Sequence, residues 1–289
     1  MKKLYGLPFS CFVHGEEICL ATTSRELEWM TRSVLHGARR LIANSESTRA
    51  LLLERWGVAS EKVSVLHPGV DTEAFVPAAT DKSRSTQEQR AELGWGGRRV
   101  ILTVGRLQRR KGHDAVIEVL PSVVERYPDV LYAIVGDGEE RQRLEALVVE
   151  RGLQQWVQFR GSVGEQELLR CYQHCEFFVL ANRREGVDIE GFGIVLIEAQ
   201  ACGKAVIAGN TGGTQETLRD GLTGRVVSGT DRDELRAALL AMLSDAQALA
   251  TMGARAREWV CGQFDVRVQA RKAKLKLMPA GVLVGKGND

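Results

Sequence analysis

The sequence predicts an α/β fold with a doubly wound parallel sheet, and three observations predict it. The 289 residues are 44% hydrophobic and 26% charged, a globular balance in a chain long enough for two domains. From Val100 onward, short apolar runs alternate with longer amphipathic stretches, and the first seventy residues repeat that alternation on a smaller scale. Strands separated by helices run parallel, because each helix carries the chain back to the same end of the sheet.

The runs at Val100–Val104, Leu131–Val135, Val157–Arg160, Phe177–Leu180, Ala205–Ala208 and Arg225–Val227 read as buried strands. Helices are expected between them at His113–Arg126, Glu139–Arg151 and Glu165–Cys175. In the first seventy residues, strands are expected at Phe9–Val13, Arg40–Ala43 and Val63–Leu66, with helices near Arg25–Leu35 and Ser47–Trp56. That is about half of a domain. His67-Pro68-Gly69 reads as a turn, which places a boundary near Val70. Residues 1–69 then form a partial amino-terminal domain and 70–277 a complete one, with a polar, mobile linker over 77–89. Asp231–Leu277 carries three helical patterns, and the Gly-rich residues 278–289 are expected to fray.

Lys plus Arg (39) nearly balances Asp plus Glu (37), so bulk charge demands no nucleic acid and any anion must be held by local placement. The six cysteines show no secreted-domain spacing, which fits a reducing cytoplasm. Cys171, His174 and Cys175 share a helical face but lack a fourth ligand at zinc-like spacing, so core packing is expected and no metal. No apolar run approaches the roughly 18 residues that span a bilayer, and Met1-Lys2-Lys3 leads into a short strand. A cytoplasmic protein is expected, either soluble or peripheral to the inner face of the membrane.

In an open parallel sheet, ligands sit at the carboxyl ends of the strands. After Val100–Val104 comes Gly105-Arg106-Leu107-Gln108-Arg109-Arg110-Lys111-Gly112. Gly105 permits a tight turn, Arg106 stands on the strand lip and Lys111 precedes the next helix, so both cations can face one anion such as a diphosphate. Read alone, the segment is equally a solvated basic loop. After Phe177–Leu180 come a polar loop and Glu190-Gly191-Phe192-Gly193-Ile194-Val195-Leu196-Ile197-Glu198. The glycines permit close backbone approach, and the apolar run starts a helix whose N–H groups attract phosphate. The two glutamates lie eight positions apart, Glu190 at the helix mouth and Glu198 about two turns inside, where a carboxylate can accept from two ribose hydroxyls. Singly, each is more often a cap or a surface ion pair.

Gly105-Arg106, Lys111-Gly112 and the Glu-x7-Glu in EGFGIVLIEAQACGKAVIA resemble family four of the retaining glycosyltransferases, which have two Rossmann-like domains in a B fold. ANSESTRALL, VLHPGVDTEAF, VGDGEERQRLEALV, VQFRGSV and GNTGGTQETLRDGLTGRVV follow the family pattern in order. The resemblance implies that Arg106 and Lys111 hold the diphosphate of a nucleotide-sugar donor and neutralise its developing charge, helped by the N–H groups around Gly193 and Ile194. It implies that Glu190 touches the donor sugar, Glu198 takes the ribose, and Arg160-Gly161-Ser162-Val163 holds the base. Gly105, Gly191 and Phe192 belong to the same donor site. His14, at the end of Phe9–Val13, is implied to reach across to the sugar, although a strand-end His is more often a local hydrogen-bonding residue. Asn44 and Ser45 also end a strand, and Ser45 is as well placed to cap the next helix as to line the cleft.

The implied reaction moves a hexose to an acceptor hydroxyl with retention and without metal or cofactor, the leaving diphosphate helping to deprotonate the acceptor. The loop from Arg183 to Ile189 is similar to that of mannosyltransferases acting on phosphatidylinositol mannosides, which suggests GDP-mannose, with UDP-sugars left open. The acceptor is undefined: a glycan, a lipid or a small molecule. Complete members begin with a strand and a glycine-rich loop, so this chain is expected to start mid-domain, with about 100 residues of such a domain missing. The exposed edge is then expected to need a covering segment or self-association. Two readings stay beside transfer: a non-catalytic nucleotide-sugar-binding remnant, and a nucleotide-sugar epimerase. A glycoside hydrolase leaves the phosphate-binding helix end without a role. A dehydrogenase fails where Arg141 occupies the third glycine position of the dinucleotide fingerprint.

Overall fold

The computed structural model describes residues 8–78 and 85–277. The tail at 278–289, the start at Met1-Lys2-Lys3 and the middle of the expected linker lie outside the described residues. The strands are β1 (Ser10–Val13), β2 (Arg40–Ala43), β3 (Val63–Val65), β4 (Arg99–Val104), β5 (Val130–Val135), β6 (Val157–Gly161), β7 (Phe177–Leu180), β8 (Val206–Gly209) and β9 (Gly224–Val227). The helices are α1 (Glu16–Leu20), α2 (Arg25–Gly37), α3 (Glu46–Glu54), α4 (Thr86–Glu92), α5 (His113–Arg126) and α6 (Arg141–Glu150). They continue with α7 (Glu165–His174), α8 (Ile194–Ala201), α9 (Arg232–Ser244), α10 (Ala246–Gln263) and α11 (Val266–Leu277).

The described residues form two sheets, both parallel: β1-β2-β3, and a six-stranded sheet ordered β6-β5-β4-β7-β8-β9. All six residues of β5 are buried, because helices cover both faces of the larger sheet. On one face Ile101, Ile134, Phe177 and Val179 pack with Leu120 of α5 and Leu239 of α9. On the other, Leu102, Ala133, Phe178 and Leu180 pack with Tyr172 of α7 and Leu196 of α8. Each fully buried large side chain contributes about 1.5–3 kcal/mol, so this alternation fixes which way every strand faces. β1 stands at an edge of the smaller sheet, where Phe12 is 53% exposed.

The chain turns back on itself before it ends. Val70 donates its N–H to the Phe264 carbonyl at 2.8 Å and accepts from Val266 N at 3.0 Å, and α11 then runs to the first sheet, where Arg40 donates to the Lys276 carbonyl at 2.7 Å.

The polar linker expected over 77–89 is helical from Thr86. Ser85 and Glu88 close a capping box, Gln89 is buried against His174, and Arg90 donates to the His174 carbonyl at 2.5 Å. Polar composition misled here because the polar groups are spent on the helix cap and on a neighbouring helix end. Among the described residues, no single helix is long and apolar enough to cross a membrane.

Candidate functional site at the sheet's switch point

The order of the larger sheet reverses between β4 and β7, so the loops leaving these two strands diverge and open a crevice at their carboxyl ends. Both loops carry charge into it. Lys111 Nζ pairs with Glu190 Oε2, and the Arg110 Nη1 donates to the same oxygen at 2.5 Å. The Arg110 side chain is only 6% exposed and meets two more carboxylates, Asp188 at 3.0 Å and Glu16 of α1 at 3.4 Å. Burial alone would raise the Glu190 carboxyl, but Lys111 and Arg110 outweigh it and hold its pKa below the ordinary value. Asp188 goes the other way: burial pushes it up further than Arg110 pulls it down. His113, beginning α5, is buried with both ring nitrogens unpartnered, and burial with Lys111 nearby lowers its pKa to about 3. It is neutral and adds no charge to the loop.

Beyond Glu190, the backbone reaches α8 through Gly193 at φ 87, a conformation that excludes most side chains, and no side chain caps the helix. The N–H groups of Ile194 and Val195 therefore stay open to the crevice, while that of Leu196 bonds the Gly193 carbonyl at 3.0 Å. A Cβ on Gly191 would lie 2.1 Å from the His14 carbonyl oxygen, so glycine is what lets this loop touch the smaller sheet's domain. The result is a cleft of about 520 Å³ between the two sheets, lined by His14, Glu16, Asn44, His67, Lys111, Glu190, Phe192 and Ile194 among others. Asn44 donates to the His14 carbonyl at 2.9 Å and fixes that loop. Ser45 caps α3, accepting from Thr48 N at 3.0 Å. His67 stacks on Phe192 at 5.4 Å and lies 2.9 Å from the Glu216 carboxylate. Glu216 also accepts from the N–H groups of Glu46 (2.8 Å) and Ser47 (3.1 Å), tying the larger domain to the start of α3.

Glu198 lies elsewhere. As the fifth residue of α8 it is about one turn inside rather than two, and Glu190 precedes the helix, so the two do not share a helical face. Tyr172 of α7 donates to Glu198 Oε2 at 2.7 Å, and burial raises the Glu198 carboxyl despite that bond. Glu198 lines a second depression of about 500 Å³ with Phe75, Glu165 and Leu169. Gly161, at φ 69, ends β6, and Val163 packs against the core under α7. The Cys171, His174 and Cys175 face is packing: His174 Nε2 lies 3.1 Å from Gln89, and Cys175 Sγ donates to the Tyr172 carbonyl.

The structure thus brings His14, Lys111, Glu190, Gly191, Phe192, Gly193 and Ile194 to one cleft. Glu198 is not among the residues lining it, and neither is Arg106, which stands exposed on the lip beside Gly105, with no partner holding its side chain among the described residues. Three residues escaped sequence reasoning. Arg110 looked like one more solvated base, and the roles of Tyr172 and His67 depend on folds of the chain that spacing does not report.

Two parallel sheets facing across a cleft, the larger with a switch point opening into it, are the architecture of the B fold found in glycosyltransferases. The chain belongs to the glycosyl transferases group 1: residues 85–259 match that family, and residues 1–74 match Glycosyltransferase Family 4. It is 35% identical over 272 residues, 90% of this chain and 70% of the relative, to a GDP-mannose-dependent alpha-(1-6)-phosphatidylinositol monomannoside mannosyltransferase of Mycolicibacterium smegmatis. The protein of the same description from Mycobacterium tuberculosis is 33% identical over 260 residues, 86% of this chain and 66% of the relative. Among solved structures it is similar in fold to Anabaena HepE in complex with UDP-glucose, with a TM-score of 0.83 at 23% identity, covering 96% of this chain and 73% of that one.

Proposed function

We propose that the chain transfers a hexose from a nucleotide-diphosphate sugar to an acceptor hydroxyl with retention of configuration. The observation that carries this is the Lys111–Glu190 pair at the switch point, beside the uncapped start of α8: a cation and free N–H groups for a diphosphate, next to a carboxylate for sugar hydroxyls. Arg106 swings in from the lip as the second cation, and Glu198 accepts from the ribose with Gly161 and Val163 near the base. Lys111, Arg106 and the helix end stabilise the leaving diphosphate, a task that a divalent ion performs in other transferases. The bond from the anomeric carbon to the phosphate oxygen breaks, the acceptor oxygen bonds to that carbon on the same face, and its proton passes to the leaving phosphate. His14 meets the sugar from the opposite wall.

GDP-mannose is the first donor to try, since both relatives above are named for it, with UDP-glucose second. Their named acceptor, a phosphatidylinositol monomannoside, is likewise the first acceptor. All six cysteines are free thiols, which supports a reducing compartment as the place of action. Thermal shift with GDP, UDP and their sugars, followed by a turnover assay with chelator present, tests the proposal. A bound nucleotide should raise the melting temperature with the logarithm of its concentration, and transfer should survive the chelator. Binding without transfer or donor hydrolysis would leave a nucleotide-sugar-binding protein, and no shift with any nucleotide would overturn the site.

A further inference from the structure

Arg110 and Lys111 are neighbours in sequence with different surroundings. Lys111 lines the cleft, whereas Arg110 does not: it sits behind Glu190, buried, its fork spread over three carboxylates. Both cations hold the same oxygen of Glu190, Oε2, and among the described residues nothing bonds to Oε1. A diphosphate entering the cleft competes for the single charge of Lys111 and loosens its hold on Glu190. Arg110 cannot follow, because its guanidinium is enclosed. Without it, Glu190 would be a buried carboxylate next to Asp188 and a phosphate, and the repulsion would displace it from the sugar or protonate it.

The fork is also incompletely satisfied. Arg110 Nε lies 3.0 Å from Asp188 Oδ2 but out of line for a good hydrogen bond, and the buried Asp188 Oδ1 has no partner among the described residues. Glu16, half exposed on the other domain, reaches Arg110 only at 3.4 Å. A small approach of the two domains would shorten the Glu16 contact.

Resting on the donor-site reading above, we propose that Arg110 is the positioning residue of the sugar subsite. It keeps Glu190 fixed by one oxygen while Oε1 accepts from the sugar, and through Glu16 it makes that hold depend on closure of the two domains. Lys111 serves the phosphate and Arg110 serves the sugar.

The test is calorimetric titration of wild type, Arg110→Gln, Arg110→Lys and Glu16→Gln with GDP and GDP-mannose, and with UDP and UDP-glucose, using whichever pair the wild type binds. In Arg110→Gln, nucleoside diphosphate affinity should stay within about threefold of wild type while the nucleotide sugar weakens at least about tenfold, the size expected for a charged hydrogen bond. Arg110→Lys should fall between, since it keeps the charge and loses the fork, and Glu16→Gln should lower the sugar-to-diphosphate affinity ratio by a few-fold. If Arg110→Gln does not fold, the other two variants carry the same comparison. Equal weakening of both ligands would show a general structural role and overturn the inference, as would an unchanged ratio. A wild type that binds neither ligand would overturn the donor-site reading itself.

Discussion

Glu190 lies among cations at the cleft, and Glu198 lies against a phenol in a separate depression. Lys111 and Arg110 keep the first ionised in spite of its burial, whereas Tyr172 only partly offsets the burial of the second. A carboxylate with two cations beside it is placed to work next to a phosphate, where it would otherwise be repelled. One held by a neutral donor suits uncharged hydroxyls, which exchange for the phenol at little electrostatic cost. The same helix, α8, thus has an ion cluster at its mouth and a carboxylate on a neutral donor one turn on.

The sharpest break in this contrast is Lys111→Ala. Removing the cation that lines the cleft should lower the turnover rate by about 10²–10³-fold, the range for a lost donor to developing negative charge, and should abolish the thermal shift given by nucleoside diphosphates. Next is Arg106→Ala. The side chain is exposed, so the melting temperature should stay within the change of about ±0.5 kcal/mol typical of surface substitutions, while turnover falls about tenfold or more. Unchanged turnover would remove Arg106 from the site.

Stability against pH separates the glutamates by sign. Glu190, with its folded pKa below the ordinary 4.5, contributes stability that is present above that pH and lost as pH falls through the folded value. Glu190→Gln should therefore cost about 1–3 kcal/mol at pH 7, by urea titration, and less in acid. Glu198, with its folded pKa above 4.5, binds its proton more tightly in the folded chain, so the fold loses stability as pH rises through that value. Glu198→Gln should be neutral or stabilising at pH 7, with the gain vanishing below about pH 4.5. The smallest effect is expected of Tyr172→Phe, which removes one hydrogen bond to Glu198. Nucleotide affinity should change by a few-fold at most, without altering the response to the sugar.

The strands and helices of the larger domain were legible because buried parallel strands and amphipathic helices differ in period and length, and most boundaries fall within two residues of those expected. Lys111, Glu190 and the glycines before α8 could be read because strand ends are where ligands sit, and the resemblance gave them roles. Arg110 could not: its enclosure depends on Asp188, Glu190 and Glu16, which folding brings to it from distant parts of the chain. Nor could the separation of the glutamates. Counting turns from Glu190 overshoots, because the helix begins only at Ile194. The start of α4 was hidden for a different reason, since a capped polar helix and a polar linker have the same composition.

In the proposed function the switch-point cleft holds the donor with Lys111 on its diphosphate. A crystal structure of the complex with GDP-mannose, or UDP-glucose if that binds, tests it most directly. The expected complex has Lys111 Nζ within hydrogen-bond distance of a phosphate oxygen, Glu190 still on Arg110 with its other oxygen on a sugar hydroxyl, and Glu198 on the ribose. A nucleotide bound away from the β4 and β7 loops, or one that leaves Lys111 solely on Glu190, would contradict it.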